Sequence, residues 1–129
     1  MEPEELRART KAFAVQVIRF VKTTIPSDAI STEIARQLTR AGGSTAAGYR
    51  AVCRARTRKD FIYKLGNTIE EVDEAALWLE VLIESGITPS SESKRLWREA
   101  DELTRILVAS RETARRNQRA AEKRVERRR

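Results

Sequence analysis

The sequence predicts an all-α protein, an antiparallel up-down-up-down four-helix bundle over residues 1–110 with a basic C-terminal extension over residues 111–129. Composition supports this prediction, because alanine, arginine, leucine and glutamate dominate and only 3 prolines and 5 glycines occur. Apolar residues also recur at alternating spacings of three and four in four segments, and no β-hairpin signal is present. A chain of 129 residues suits a single domain whose core needs no disulfide or metal.

The first helix is predicted over Pro3–Thr24. Proline is favoured in a first turn, and Pro26 disfavours a helical residue before it. The helix carries an apolar stripe of residues that share one face, namely Leu6, Phe13, Val17 and Phe20, widened by Ala14, Ile18 and Val21.

The second helix is predicted to begin after an N-cap at Ser27 or Asp28. Its stripe consists of Ile30, Ile34, Leu38, Ala41, Thr45, Tyr49 and Val52. Every residue over 41–48 is small, which predicts the close approach of another helix backbone. A glycine-rich phosphate loop is the competing interpretation, but neither of the standard glycine spacings is present and no predicted strand precedes the segment.

The third helix has the strongest periodic signal and is predicted to open with a capping box formed by Thr57 and Asp60. Its seam consists of Ile62, Leu65, Ile69, Val72, Ala76, Leu79 and Ile83, and Gly86 is predicted to end it. The fourth helix is predicted to begin near Ser90 or Ser91, with a seam of Leu96, Ala100, Leu103, Leu107, Ser110 and Ala114. Beyond Arg111 the tail could be a solvated helix or disordered.

Positive charge is concentrated in two segments of this chain, whose net charge is +7. Residues 111–129 carry nine Lys or Arg against three Glu, and residues 36–64 carry eight against one Asp. Residues 70–84 instead carry six acids and no base. This separation favours either binding to an anionic partner or docking between copies of the chain.

The sequence predicts neither an enzyme nor a cofactor or metal site. It contains no histidine, which excludes histidine-based nucleophilic catalysis and His-ligated metal or haem. A carboxylate-only cation site near Glu70, Glu71, Asp73 and Glu74 is the alternative to a solvated acidic face. The lone Cys53 has no partner for an internal disulfide and is predicted to be a small packed residue, although nearby arginines could instead make it reactive.

Nucleic-acid binding is the leading functional hypothesis, because arginine forks match phosphate oxygens. The predicted contacts are Arg50, Arg54, Arg56, Arg58 and Lys59, together with Arg115, Arg116 and Arg119 of the tail. Tyr49 and Tyr63 flank the first cluster and could stack on bases, although Tyr49 also fits the core stripe. No motif for sequence-specific readout is present.

Self-association is predicted from residues 77–83, which are apolar on every side except at Glu80. Leu77, Trp78 and Val81 lie off the seam, so we expect them in a subunit interface. The alternative is that Trp78 covers a loop of its own bundle. Trp97 could belong to the edge of the core, to the rim of an interface or to a base-stacking surface.

The segments Gln37–Ala41 and Gly48–Thr57 resemble those of the bacterial four helix bundle protein family, also called 23S rRNA intervening-sequence proteins. The likeness continues through Phe61-Ile62, Lys64-Leu65, Glu70-Glu71, Asp73-Glu74 and Trp78-Leu79-Glu80 to Gly86. It implies a ring-like homopentamer related to the accessory variability determinant proteins of diversity-generating retroelements. Those proteins are basic pentamers that bind a reverse transcriptase and nucleic acid.

The expected partners are therefore other copies of this chain, RNA or DNA, and a reverse transcriptase or another protein. The acidic start lacks an apolar signal segment and no apolar run approaches a membrane span, so a cytoplasmic location is expected. A rival hypothesis is an interaction scaffold whose basic patch docks on an acidic protein surface, such as residues 70–84 of a neighbouring subunit.

Overall fold

A computed structural model describes all 129 residues. It contains four helices, α1 (Pro3–Thr24), α2 (Ala29–Cys53), α3 (Arg58–Glu84) and α4 (Ser91–Arg128), and no strands. Each helix packs on the next in the chain, and α4 closes the bundle against α1 through a smaller contact. The predicted all-α up-down-up-down bundle is therefore confirmed. None of the four helices combines the length and apolar character that crossing a bilayer requires.

The helix ends follow the predicted chemistry. The Asp28 carboxylate accepts a hydrogen bond from the Ser31 amide at 3.0 Å, and Thr57 accepts one from the Asp60 amide at 3.0 Å. Ser90 caps α4 in the same way. Gly86 follows α3 with φ at +80°, a left-handed conformation that side chains rarely adopt. Short polar side chains thus cap the starts of α2, α3 and α4, and one glycine follows the end of α3.

The core runs along the bundle axis and is built from the predicted stripes. Phe13, Leu38, Leu65 and Leu103 are among its fully buried side chains. Two residues assigned to the stripes are exposed instead, which corrects the prediction at Ile18 and Ile30. Ile18 directly follows the buried Val17 and so points away from it, and Ile30 directly precedes Ser31, which is 1% exposed and takes the buried position in the first turn of α2.

The small residues of α2 permit close helix packing, as predicted. A Cβ atom on Gly42 would lie 3.3 Å from the Val17 side chain of α1, and one on Gly48 would lie 2.7 Å from the Thr68 hydroxyl of α3. A Cβ atom on Gly43 would meet nothing within 4 Å. Two of the three α2 glycines therefore bring α1 and α3 close to α2.

The tail beyond residue 110 is helical, which answers the question that the sequence left open. α4 continues without interruption over 38 residues. The guanidinium of Arg58 at the start of α3 donates a hydrogen bond to the Asn117 carbonyl at 3.1 Å. Beyond Asn117 the helix rises about 1.5 Å per residue, so it extends roughly 16 Å past this contact.

Candidate nucleic-acid interface

A positively charged cleft of about 490 Å³ opens between α1, α2 and α3. Five cationic side chains line it, and no acidic residue does: Arg7, Lys11, Arg50, Arg54 and Lys64. The other lining residues are the alanines Ala46, Ala47 and Ala51 of α2. Because a methyl group occupies little space, these alanines leave an open volume between the cationic side chains.

The helix register explains why these cations meet. Arg7 and Lys11 lie four residues apart on α1, and Arg50, in the last turn of α2, lies four residues before Arg54, the C-cap residue of that helix. Residues at this spacing share one face of a helix. Because α1 and α2 are antiparallel, the start of α1 lies beside the end of α2, and the two pairs border the same cleft.

Most of the cleft cations have no acidic partner. Lys64 forms an ion pair with Asp60 of its own helix, with 2.9 Å between Nζ and Oδ2. None of the other four is within salt-bridge distance of a carboxylate. Elsewhere in the bundle Arg9 is paired with Glu99 and Glu102. The cleft therefore holds uncompensated positive charge close together, which favours an anionic ligand.

Only two of the five predicted contacts of the first basic cluster line the cleft. Arg50 and Arg54 line the cleft, whereas Arg56, Arg58 and Lys59 lie outside it in the loop and the first turn of α3. All five are exposed. Arg58 is the one engaged by the tail, through its hydrogen bond to Asn117.

The predicted tail contacts lie on the last part of α4. Arg115 forms an ion pair with Glu112 at 3.2 Å, and Arg116 donates a hydrogen bond to the Thr113 hydroxyl at 3.3 Å. Arg119 is exposed and forms no ion pair. An exposed pair between neighbours on one helix contributes little energy, so these arginines are available to another anion.

The two tyrosines differ in what they can contact. Tyr49 is only 3% exposed, so it belongs to the core and the idea that it stacks on bases is wrong. Burial, and secondarily the nearby Cys53 thiol, raises the pKa of Tyr49 to about 12. Tyr63 is 68% exposed and remains available for stacking. The packed position predicted for Cys53 is also wrong, because Cys53 is exposed in the last turn of α2.

The predicted interface residues form a partly exposed apolar surface. Leu77 is 50% exposed, and Trp78 and Val81 are half-buried against the core. The Trp78 indole N–H donates a hydrogen bond of 3.4 Å to Glu74. Ile30, which is 71% exposed, lines a shallow cavity of about 390 Å³ beside Trp78. Trp97 is half-buried against the core, and its indole nitrogen has no hydrogen-bond partner.

The acidic segment of α3 is partly neutralised within the chain. Arg40 of α2 forms ion pairs with Glu71, at 3.0 Å, and with Glu74. The hydrogen bond from Arg40 lowers the pKa of Glu74, and the same contacts raise the pKa of Arg40. Glu70, Asp73 and Glu80 are exposed and form no ion pair. No group of three His, Cys, Asp or Glu residues is arranged so that it could hold a metal ion.

Comparison with known proteins identifies the family. A model of the 23S rRNA-intervening sequence proteins matches residues 4–109. The chain belongs to this family. A crystal structure of a protein of unknown function from the S23 ribosomal protein family of Bacteroides thetaiotaomicron VPI-5482 has a similar fold, with a TM-score of 0.77 at 23% identity. The match covers 87% of this chain and 99% of that protein. No curated protein is significantly similar to this chain.

The family match ends at residue 109, so it includes the cleft and excludes the basic tail. Within the matched part, reasoning from sequence found Arg50 and Arg54 but missed Arg7, Lys11 and Lys64. The spacing of four between Arg7 and Lys11 was a usable signal, because an antiparallel bundle brings the start of α1 beside the end of α2.

Proposed function

We propose that this intervening-sequence family member is a non-enzymatic, homo-oligomeric bundle that binds the phosphate backbone of RNA or DNA. The observation that carries the proposal is the cleft with its four cations that lack a carboxylate partner. Arg56, Lys59 and the tail arginines extend the positive surface beyond it.

The chemistry of these side chains suits phosphate rather than bases. Guanidinium groups donate paired hydrogen bonds to phosphate oxygens, and each neutralised phosphate releases counterions. The resulting affinity falls steeply with salt and depends little on sequence. Tyr63 is the exposed aromatic residue nearest in sequence to the basic cluster, and it could add base stacking where the nucleic acid is single-stranded.

Oligomerisation, with five subunits expected from the family resemblance, would multiply this surface. The oligomer is supported by the apolar surface of Leu77, Trp78 and Val81, which continues to the exposed Ile30. Several copies of a weak phosphate-binding surface on one particle raise the overall affinity through avidity. In the proposed setting, the cytoplasm, such a particle would act beside RNA or a reverse transcriptase as an accessory protein.

A gel-shift series over increasing salt tests the proposal with the full chain. Wild-type affinity is expected to fall linearly on a log–log scale as salt rises. Replacing Arg50, Arg54, Arg56, Arg58 and Lys59 by Glu, and separately ending the chain at Asn117, should each weaken binding and reduce the salt slope. The matched control also reverses five exposed charges, with Arg19, Lys22, Lys94, Arg95 and Arg98 replaced by Glu. An affinity that does not change with salt contradicts the proposal. So does wild-type affinity in a variant that combines the five Glu substitutions with the truncation at Asn117.

The rival function is a protein–protein scaffold without nucleic-acid binding. It is favoured by the exposed, unpaired Glu70, Asp73 and Glu80 of α3, which offer an acidic surface to the basic patch of another copy. Purification with a protein partner and no nucleic acid, with the arginines protected from modification in the complex, would support the scaffold over the proposed function.

A further inference from the structure

We propose that the cleft is a binding site for a linear triphosphate group, as carried by a nucleoside triphosphate or by the 5′ end of an RNA. The proposal rests on the proposed function for the anionic nature of the ligand, and it assigns that site a ligand of particular charge density. The two sources share the same three adjoining phosphates, and the experiment below separates them.

The arrangement of the cations suits a compact polyanion. They come from three helices and border one concave volume of about 490 Å³ instead of following a line along the surface. In an extended strand successive phosphates are separated by sugars and carry one charge each. A terminal phosphate group carries additional negative charge near neutral pH, so a triphosphate concentrates more charge in a small volume.

The unpaired cations of the cleft give such a ligand a large electrostatic advantage. Arg7, Lys11, Arg50 and Arg54 repel one another, and none of them forms an ion pair with a carboxylate of the chain. The guanidinium groups of Arg7, Arg50 and Arg54 can hold two phosphate oxygens each, whereas the lysines act as mobile point charges. A ligand with several adjoining phosphates offers oxygens to more than one of these cations.

The alanines that line the cleft provide the space that a triphosphate needs. Ala46, Ala47 and Ala51 place methyl groups where longer side chains would reach into the volume between the cations. Ala47 is exposed, so a larger residue there disturbs no core packing. A larger side chain at this position therefore fills the cleft without changing the charge of the protein. Its effect on binding distinguishes a site of defined shape from non-specific electrostatic attraction.

The test is calorimetry of the full chain with inorganic tripolyphosphate, without magnesium, against orthophosphate. Tripolyphosphate is expected to bind at least about tenfold more tightly than orthophosphate. Ala47→Met and Lys11→Gln should each weaken it by about tenfold, whereas Ala120→Met, an exposed α4 alanine outside the cleft, should not. Equal affinity for both anions, or an Ala47→Met variant that binds like wild type with unchanged circular dichroism, overturns the inference.

Two further binding measurements, one with ATP and one with RNA, identify the source of the triphosphate. Tight binding of ATP assigns the cleft to a free nucleotide. Preference for an RNA with a 5′-triphosphate over the same RNA with a 5′-hydroxyl assigns it to an RNA end, and that preference should disappear in Ala47→Met. If tripolyphosphate and both further measurements show no cleft-dependent binding while the salt-dependent gel shift persists, this inference fails and the proposed function stands.

Discussion

Gly48 of α2 lies so close to Thr68 of α3 that a Cβ atom on the glycine would be 2.7 Å from the threonine hydroxyl oxygen. That hydroxyl is held in place, because it donates a hydrogen bond of 2.9 Å to the Lys64 carbonyl one turn earlier. Lys64 lines the cationic cleft together with Arg50 and Arg54. The two backbones therefore approach each other closely beside residues that line the cleft.

The first prediction compares two glycines of α2. Gly48→Ala should lower the free energy of unfolding by about 1–2 kcal/mol, because the cost of overpacking exceeds the gain in helix propensity. Gly43→Ala is the matched control, since nothing lies within 4 Å of its added methyl group. It should raise the free energy of unfolding by about 0.5–1 kcal/mol. Urea denaturation of both variants measures the difference.

A double variant tests the cause of the Gly48 effect. Thr68→Ala removes the hydroxyl that the new methyl group would meet. If the clash is responsible, Gly48→Ala in the Thr68→Ala background should cost clearly less than in the wild type. An equal cost in both backgrounds would mean that the close contact with Thr68 is not the reason for the glycine.

The second prediction concerns the contact between the first and last helices, which is the smallest in the bundle. Arg9 donates hydrogen bonds to both carboxylate oxygens of Glu99, at 2.8 and 2.7 Å, and lies 3.1 Å from Glu102. These contacts raise the pKa of Arg9. Arg9→Lys keeps the charge but loses the two-pronged geometry.

We expect Arg9→Lys to lower the free energy of unfolding, because one of the two hydrogen bonds to Glu99 is lost. The loss should be only about 1 kcal/mol, because solvent partly screens the pair. The expected loss is greater than for Arg105→Lys, since Arg105 pairs with Asp101 of the same helix on an exposed surface. Denaturation of the two variants in parallel gives the comparison. Equal effects would show that the α1–α4 pair contributes no more than an ordinary surface pair.

The third prediction is a pH dependence at the start of α2. The hydrogen bonds from Ser31 lower the pKa of the Asp28 carboxyl in the folded protein. Because the folded pKa lies below the unfolded value, this cap stabilises fully above about pH 4 and its contribution is lost as pH falls through the folded pKa.

Asp28→Asn should retain a capping oxygen while removing this titration. The melting temperature of the variant should therefore fall less steeply than that of wild type as pH drops below about 4. Thermal melts in a series of acidic buffers provide the measurement, and parallel curves would show that Asp28 does not contribute to acid sensitivity.

Sequence reasoning located the helices well, because their signals are local. The cap at Thr57, the glycine at Gly86 and the unbroken seam of α3 each report on a few neighbouring residues. The errors occur where burial depends on distant parts of the chain. Ile30 fits the stripe of α2, but its neighbour Ser31 takes the buried position in that first turn.

Only part of the candidate site could be predicted, because the rest depends on contacts between distant parts of the chain. Arg50 and Arg54 were found within one basic segment, whereas Arg7 and Lys11 come from a helix whose local charge is mixed. Their role depends on the antiparallel pairing of α1 with α2, which a local charge count does not contain. The hydrogen bond from Arg58 to the Asn117 carbonyl was likewise out of reach of a local charge count, because it joins residues that are 59 positions apart.

The fourth prediction tests whether the apolar surface around Leu77 joins copies of the chain. A half-exposed leucine beside a half-buried tryptophan offers the kind of anchor that dominates protein interfaces. Leu77→Glu and Trp78→Glu place a carboxylate there, and burying an unpaired charge in an interface is costly. We expect both variants to shift the protein from an oligomer, five subunits by family analogy, towards the monomer mass of 14.7 kDa.

Light scattering coupled to size exclusion measures the mass, and circular dichroism verifies that the helices persist. Val15→Glu is the control, because Val15 is a partly exposed valine of α1 that was not assigned to the interface. Leu77→Glu is the decisive variant, since Trp78 also packs on the core and its loss can destabilise a single subunit. A monomeric wild type, or a Leu77→Glu protein of unchanged mass, would show that this surface does not join subunits and would remove the avidity argument from the proposed function.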